Sequence, residues 1–285
     1  MEHAAGPENR LATVSTYFEI AGDDLDPAAC TQGLDLEPTD SWLKGQLKGR
    51  GRVPVRQSAW TIKSPDLPAT NLDGGLQPLL DTLWPVRDSL HRLVAESPAP
   101  LSVAFGSIVK IHHDVPDYHL PPGTIARLAG MEAEYWPDIY DFRSPTHRGG
   151  GPGSGGGMDP GDSMPYVTTF CEISGSELDP DALSGGIGVQ PTATRIEPGH
   201  GSWRLGLEDQ RGYNTEDGLK ALLDRLWPVR ENLARFLAAR PAIVTFGSSV
   251  RMYHDNLVYG LTPPTLHRLA AFGAHYSLDI QDFRE

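Results

Sequence analysis

The chain has 285 residues, 39% of them hydrophobic, and a formal net charge of −13, which suits two domains of ordinary size, each with its own core. An acidic body repels phosphate backbones, so nucleic-acid binding is not expected, and no apolar run is long enough to span a bilayer. No apolar segment leads the chain, and two cysteines cannot make a disulfide framework, so a cytoplasmic protein is expected.

Residues 1–11 read as an irregular tail, and the rest of the chain says nearly the same thing twice. Each copy opens on a strand, Val14 to Ile20 and Val167 to Ile173, whose alternation gives two faces; Gly22 and Gly175 end them. Asp26-Pro27 then starts a short helix, with Asp as N-cap and Pro in the first turn, and Asp179-Pro180 is its twin. Gly33 and Gly185-Gly186 are expected to stop these helices. A further short strand is expected near Pro38 to Lys44. A strand carrying Trp60 comes next, Ser58 to Ile62, matched by Ser202 to Leu207 around Trp203.

The longest helix of each copy is marked by a leucine stripe: Leu76, Leu79, Leu80, Leu83, Val86, Leu90 and Leu93 fall at helical spacing, as do Leu219, Leu222, Leu223, Leu226, Val229, Leu233 and Leu237. Asn214 or Thr215 caps the second. Within the stripe, Leu79 to Arg87 and Leu222 to Arg230 differ at one position in nine. Pro85 and Pro228 fall mid-helix and predict a kink in both. A third strand, Leu101 to Ile111 or Ala242 to Met252, contains Phe105-Gly106-Ser107 or Phe246-Gly247-Ser248. A proline-led helix comes after it, and a last strand spans Asp138 to Phe142 or Asp279 to Phe283. The expected fold is α+β: two tandem copies of a small β-α-β-α-β-α-β layered domain, packed as a pseudo-dimer. The copies are placed at 12–146 and 164–285, joined by a Gly-rich flexible linker over 147–163.

Candidate ligand-binding residues are those the two copies share. His113-Asp114 and His254-Asp255 are the only histidine positions that coincide; such a pair suits a general base or one arm of a metal site, or a strand end and a turn. Glu19 and Glu172 lie mid-strand, and Trp60 and Trp203 offer either core or a binding platform. Asp138 with Asp141, and Asp279 with Asp282, fall on opposite faces of an extended chain, against a shared role. Cys30 and Cys171 face Leu183 and Phe18 in the other copy and read as small buried hydrophobes. The chain has no HxH, HExxH or CxxC spacing, nucleophile elbow or phosphate loop, so neither a metal nor a cofactor is expected. Between Thr39 and the strand tryptophan the first copy is ten residues longer, and the extra stretch carries Lys44, Lys48, Arg50, Arg52 and Arg56, a candidate partner-binding loop.

The stretch Tyr17-Phe18-Glu19-Ile20-Ala21-Gly22-Asp23-Asp24-Leu25-Asp26-Pro27, with Leu36-Glu37-Pro38-Thr39-Asp40-Ser41-Trp42-Leu43-Lys44-Gly45, resembles a bacterial family known as DUF4279. The second copy departs from that pattern at Thr194-Arg195-Ile196, which lacks the Trp and Lys-Gly. The resemblance covers nearly the whole chain and implies no activity, because the family's function is unknown. With no catalytic constellation in view, the expected function is a non-catalytic protein-binding module, of an immunity or antitoxin-like kind, that sequesters a basic partner. The alternative is a small-molecule- or metal-binding enzyme with a site at the cleft between the copies.

Overall fold

A computed structural model describes residues 12–48, 53–69, 71–111, 117–141, 166–211, 214–238, 240–252 and 259–282. In the first repeat the order is β1 (Ala12–Gly22), α1 (Pro27–Leu34), β2 (Asp40–Trp42), β3 (Leu47–Lys48), β4 (Val53–Pro54), β5 (Ser58–Lys63), β6 (Leu67–Ala69), α2 (Leu72–Leu83), α3 (Arg87–Glu96), β7 (Ser102–Ile111), β8 (His119–Leu120), α4 (Pro122–Gly130) and β9 (Glu134–Asp141). The second repeat runs β10 (Tyr166–Gly175), α5 (Pro180–Ile187), β11 (Ala193–Glu197), β12 (His200–Arg211), α6 (Thr215–Leu226), α7 (Arg230–Leu237), β13 (Ala242–Met252), α8 (Pro263–Ala271) and β14 (His275–Asp282). The fold is mixed α+β. The expected tail and linker lie outside the described residues.

The chain divides into two compact units. Unit 1 holds a sheet ordered β2-β5-β1-β7-β9, with β6 also on β1, and unit 2 a sheet ordered β11-β12-β10-β13-β14-β8. Pairing is antiparallel except β7 with β9 and β13 with β14. Each unit takes in a short segment from the other repeat: residues 261–263 belong to unit 1 and residues 118–125 to unit 2. In unit 1, Tyr135 and Leu261 exchange two backbone hydrogen bonds of 2.9 Å. In unit 2, β8 continues the sheet beyond β14, with Leu120 opposite Tyr276.

Strict alternation explains β1: Val14, Phe18 and Ile20 are fully buried while Ser15, Tyr17 and Glu19 are half-buried on the opposite face. On the buried side α2 packs against β1, presenting Leu72, Leu76, Leu79, Leu80 and Leu83. Helix α6 repeats this on β10, with Asn214 as N-cap accepting from the Glu216 amide at 2.9 Å. Asp26 and Asp179 cap α1 and α5 as the sequence predicts, each accepting backbone N–H donors. The expected stops do not hold. Gly33, Gly185 and Gly186 lie inside their helices, which end at Asp35 (φ 54°) and Gly188 (φ 71°) in the left-handed region.

The predicted kink is a full break. Pro85 and Pro228 each sit in a single 3-10 turn, Trp84–Val86 and Trp227–Val229, that separates two helices. The arginine that closes the nine-residue motif explains much of its near-identity. Arg87 folds back to donate to the Trp84 carbonyl (3.3 Å) with its guanidinium over the indole, and Arg230 treats Trp227 the same way at 3.2 Å. Arg127 and Arg268 approach the same indoles and pair with Asp81 (2.9 Å) and Asp224 (2.7 Å). The last strands start four residues earlier than predicted, at Glu134 and His275, because they pair in parallel with β7 and β13 along their whole length.

Candidate functional site

The sequence candidates are scattered. His113, Asp114, His254, Asp255, Arg50 and Arg52 lie outside the described residues. Trp60 and Trp203 have no exposed surface, and their indole N–H groups donate internally, to Thr31 Oγ1 and Ser184 Oγ, each at 3.0 Å. They are core anchors with no face left for a ligand. Cys30 and Cys171 are buried free thiols; burial first, then Asp26, pushes Cys30 to about 11, so it holds no thiolate at neutral pH. Lys44 pairs with Asp23 at 3.0 Å. Lys48 pairs with Asp40 at 2.8 Å and lies over the Trp42 ring. The basic stretch therefore spends two of its charges at home, with Lys48 on the paired strands β3 and β4, which also expose Leu47 and Val53; Arg56 is exposed. Unit 1 opens two cavities, of about 460 Å³ beside α1 and α3 and about 610 Å³ beside His91 and Glu132. Among the described residues no three His, Cys, Asp or Glu gather as a metal site, and no helix is long and apolar enough to cross a membrane.

Glu19 and Glu172 stand on the half-buried outer faces of β1 and β10, and there the structure assembles something. The register of unit 1 sets Thr61, Glu19, Ala104 and Glu134 in one row across the sheet, and Lys63, Tyr17, Gly106 and Trp136 in the next. Ile108 and Asp138 continue from Ser15, and Lys110 stands beside Tyr140. Alternation along β9 puts Glu134, Trp136, Asp138 and Tyr140 on this one face. The Tyr17 ring lies across Gly106: a Cβ there would stand 2.1 Å from the ring's Cζ. This close approach, not a bulge, is why the Phe-Gly-Ser segment needs its glycine.

Three aromatic rings and three carboxylates thus share the outer face of unit 1. Thr61 Oγ1 donates to Glu19 at 3.2 Å and the Trp136 indole donates to Glu134 at 2.7 Å. No described basic group pairs with Glu19, Glu134 or Asp138; the nearby Lys110 is held by Asp66. Burial raises the Asp138 carboxyl above its ordinary range. Burial, then Asp138, Glu19 and Tyr140, pushes the Tyr17 phenol up to about 12, so it stays neutral and able to donate. Burial is the main cause at both groups, and the neighbouring acids add to it at Tyr17, so an added negative charge is disfavoured there.

Unit 2 places Phe170 across Gly247 in the same way, a Cβ there meeting the ring at 2.5 Å. Beside it, Arg204 lies 4.0 Å over the Phe170 ring and 3.7 Å from Glu172. Arg204 stands opposite Glu172 in the register, where unit 1 has Thr61 opposite Glu19. Ser277 and Gln281 stand in β14 where β9 has Trp136 and Tyr140, and Asp279 accepts from Ser249 at 3.1 Å. Sequence reasoning found Glu19 and Glu172 and missed Tyr17, Trp136, Tyr140 and Arg204. The available signal was the acid–aromatic alternation of Glu134-Tyr135-Trp136-Pro137-Asp138-Ile139-Tyr140, which the second repeat lacks.

No curated protein and no solved structure matches the chain. A family model, described as a domain of unknown function (DUF4279), matches it twice, over residues 12–142 and 167–283. The chain belongs to the DUF4279 family, as two tandem copies of its domain.

Proposed function

We propose that this protein is a non-catalytic binding module that captures a basic protein partner on the outer sheet face of its first unit. The observation that carries this reading is the set Glu19, Glu134 and Asp138, interleaved with Tyr17, Trp136 and Tyr140 and paired with no described basic group. Unpaired carboxylates among aromatic faces attract ammonium and guanidinium groups by Coulomb and cation–π terms together. The overall charge of −13 adds long-range attraction for a basic partner. Each compact unit takes in a short segment of the opposite repeat, so the reading is tested on the full chain.

The test is binding of a basic peptide to the full chain by calorimetry at physiological ionic strength. The triple variant Glu19→Gln, Glu134→Gln, Asp138→Asn is expected to weaken binding about tenfold or more, on the order of 1.4 kcal/mol. A control removing three exposed acids of unit 2, Glu177, Glu197 and Glu231, should change it little. Equal loss in both variants would mean that only net charge acts, and would overturn the reading.

A further inference from the structure

We infer that the outer face of unit 1 is a receptor for an arginine side chain presented by the partner, and that unit 2 shows the bound geometry with an arginine of its own. This rests on the proposed reading of that face as a basic-partner surface.

The two repeats supply an internal comparison. Tyr17 and Phe170 are equivalent, each ring lying close against an equivalent glycine, Gly106 or Gly247. Glu19 and Glu172 come two residues later on the same face. In unit 2 that aromatic–glutamate pair is completed from the next strand by Arg204, stacked over the ring and aimed at the carboxylate. In unit 1 the completing position holds Thr61, fully buried, whose hydroxyl reaches Glu19 but carries no charge and no planar group, so an incoming guanidinium would meet Tyr17 and Glu19 on the half-buried outer side of the strand. The pair Tyr17–Glu19 is thus the same receptor without its resident guanidinium.

Unit 1 also has what unit 2 lacks: Trp136 beyond Gly106 and Glu134 beyond Ala104, where unit 2 has Ser277 and His275; Asp138 has its counterpart in Asp279. An arginine entering from outside must offset its own immobilisation, which a covalently attached Arg204 largely avoids. The extra ring of Trp136 and the extra carboxylate of Glu134 provide that surplus. A planar guanidinium stacks on an aromatic face while forking to a carboxylate; a lysine ammonium can sit over a ring beside a carboxylate, as Lys48 does over Trp42 next to Asp40, but as a point charge with neither the planar stack nor the fork. The arrangement therefore selects arginine over lysine.

The experiment uses the full chain and two probes, an arginine nonapeptide and a lysine nonapeptide of equal length and charge, titrated by calorimetry. The native protein is expected to bind the arginine peptide about fivefold or more tightly. Thr61→Arg, which supplies unit 1 with its own guanidinium, is expected to cut arginine-peptide affinity about tenfold and erase the preference. Arg204→Thr, which empties the unit 2 site, is expected to add a second, weaker binding equivalent, and it keeps the test decisive should Thr61→Arg fail to fold. Equal affinity for both peptides, or no new equivalent in Arg204→Thr, would overturn the arginine receptor while leaving a basic-partner surface standing. Failure of both peptides to bind would overturn the underlying reading as well.

Discussion

Unit 1 and unit 2 lay an equivalent ring across an equivalent glycine, set a glutamate beside it, and then differ: unit 2 completes the pair with Arg204, whereas unit 1 has the buried, uncharged Thr61 there and adds Trp136, Tyr140 and Glu134 around it. Duplication separates two demands that compete within one domain. A structural ion pair on a half-exposed strand adds at most about 1 kcal/mol. Giving it up in one copy costs little stability and frees a receptor. The difference lies in single residues on matched strands, so each can be exchanged between units without redesigning either.

The largest expected effect breaks the comparison physically. In unit 2 the place beside Tyr276 is taken by Leu120, and in unit 1 the place beside Tyr135 by Leu261, which are equivalent positions of opposite repeats. Tyr118, Leu120, Thr124 and Ile125 are all buried in unit 2. Losing several such side chains at about 2–5 kcal/mol each exceeds the stability of most small domains. A second repeat expressed alone as residues 164–285 should therefore self-associate, offering its own Leu261 segment to the Tyr276 edge of another copy. Sedimentation should give a dimer; a cooperatively folded monomer at micromolar concentration would show that the segment is dispensable.

The next effect tests how interchangeable the two tryptophan strands are. Gly201 stands where the first repeat has Ser58, two residues before the buried tryptophan. A Cβ at Gly201 would lie 2.0 Å from the Leu178 carbonyl oxygen, a backbone atom with little room to yield. Gly201→Ser should cost about 3 kcal/mol, at the upper end for overpacking. The reverse change, Ser58→Gly, loses only the hydrogen bond its hydroxyl accepts from the Lys44 amide and some chain stiffness, about 1–2 kcal/mol. Urea midpoints of the two variants measure the asymmetry; equal losses would mean that the strands carry the same load.

Much of this fold was legible in one sequence because its signals are local. The alternation of β1, the aspartate caps of α1 and α5, and the leucine stripe of α2 each depend on neighbours within a turn or two. The errors came where distance or detail decides. A mid-helix proline predicts distortion, but whether it bends a helix or ends it depends on capping, here supplied by Arg87 and Arg230. Asp35 ends α1 in a conformation usually given to glycine, so a glycine stop at Gly33 falls short of the true end. The candidate face was the least legible part. Tyr17 and Trp136 are far apart in the chain and meet only because β7 joins β1 on one side and β9, in parallel, on the other. No periodicity within a strand announces its neighbours.

A smaller effect distinguishes the two buried thiols. Cys30 borders the cavity of about 460 Å³ beside α1 and α3, and its thiol is pushed up to about 11. Burial holds Cys171 higher still, with no exposed surface. Because only the thiolate attacks, native protein should react slowly with a disulfide reagent at pH 8, and Cys30 before Cys171. Cys30→Ser and Cys171→Ser variants assign the two phases. A fast first phase from Cys171 would contradict its place in the core of unit 2.

The smallest effect belongs to unit 2 alone. His275 Nδ1 lies 2.7 Å from His119 Nε2, whereas the first repeat carries Glu134 at the position of His275. Burial, then the neighbouring His119, lowers the His275 pKa below its ordinary 6.5. The unfolded chain therefore binds a proton at this site more readily than the folded one. Stability is fully present above pH 6.5, falls as pH drops below that value, and stops falling once pH passes the lowered folded value. Unit 1 has no counterpart to this pair among its described residues, so the loss should appear in unit 2 and disappear in a His275→Asn variant. Hydrogen exchange monitored from about pH 7.5 to about pH 5 reads it: amides of β14 and β13 should lose protection while those of β9 and β7 keep theirs. Equal loss in both sheets would place the acid sensitivity in their shared carboxylates and acquit the histidine pair. Loss confined to β14 would tie it to the strand that receives β8, where burial and the neighbouring His119 oppose a proton on His275.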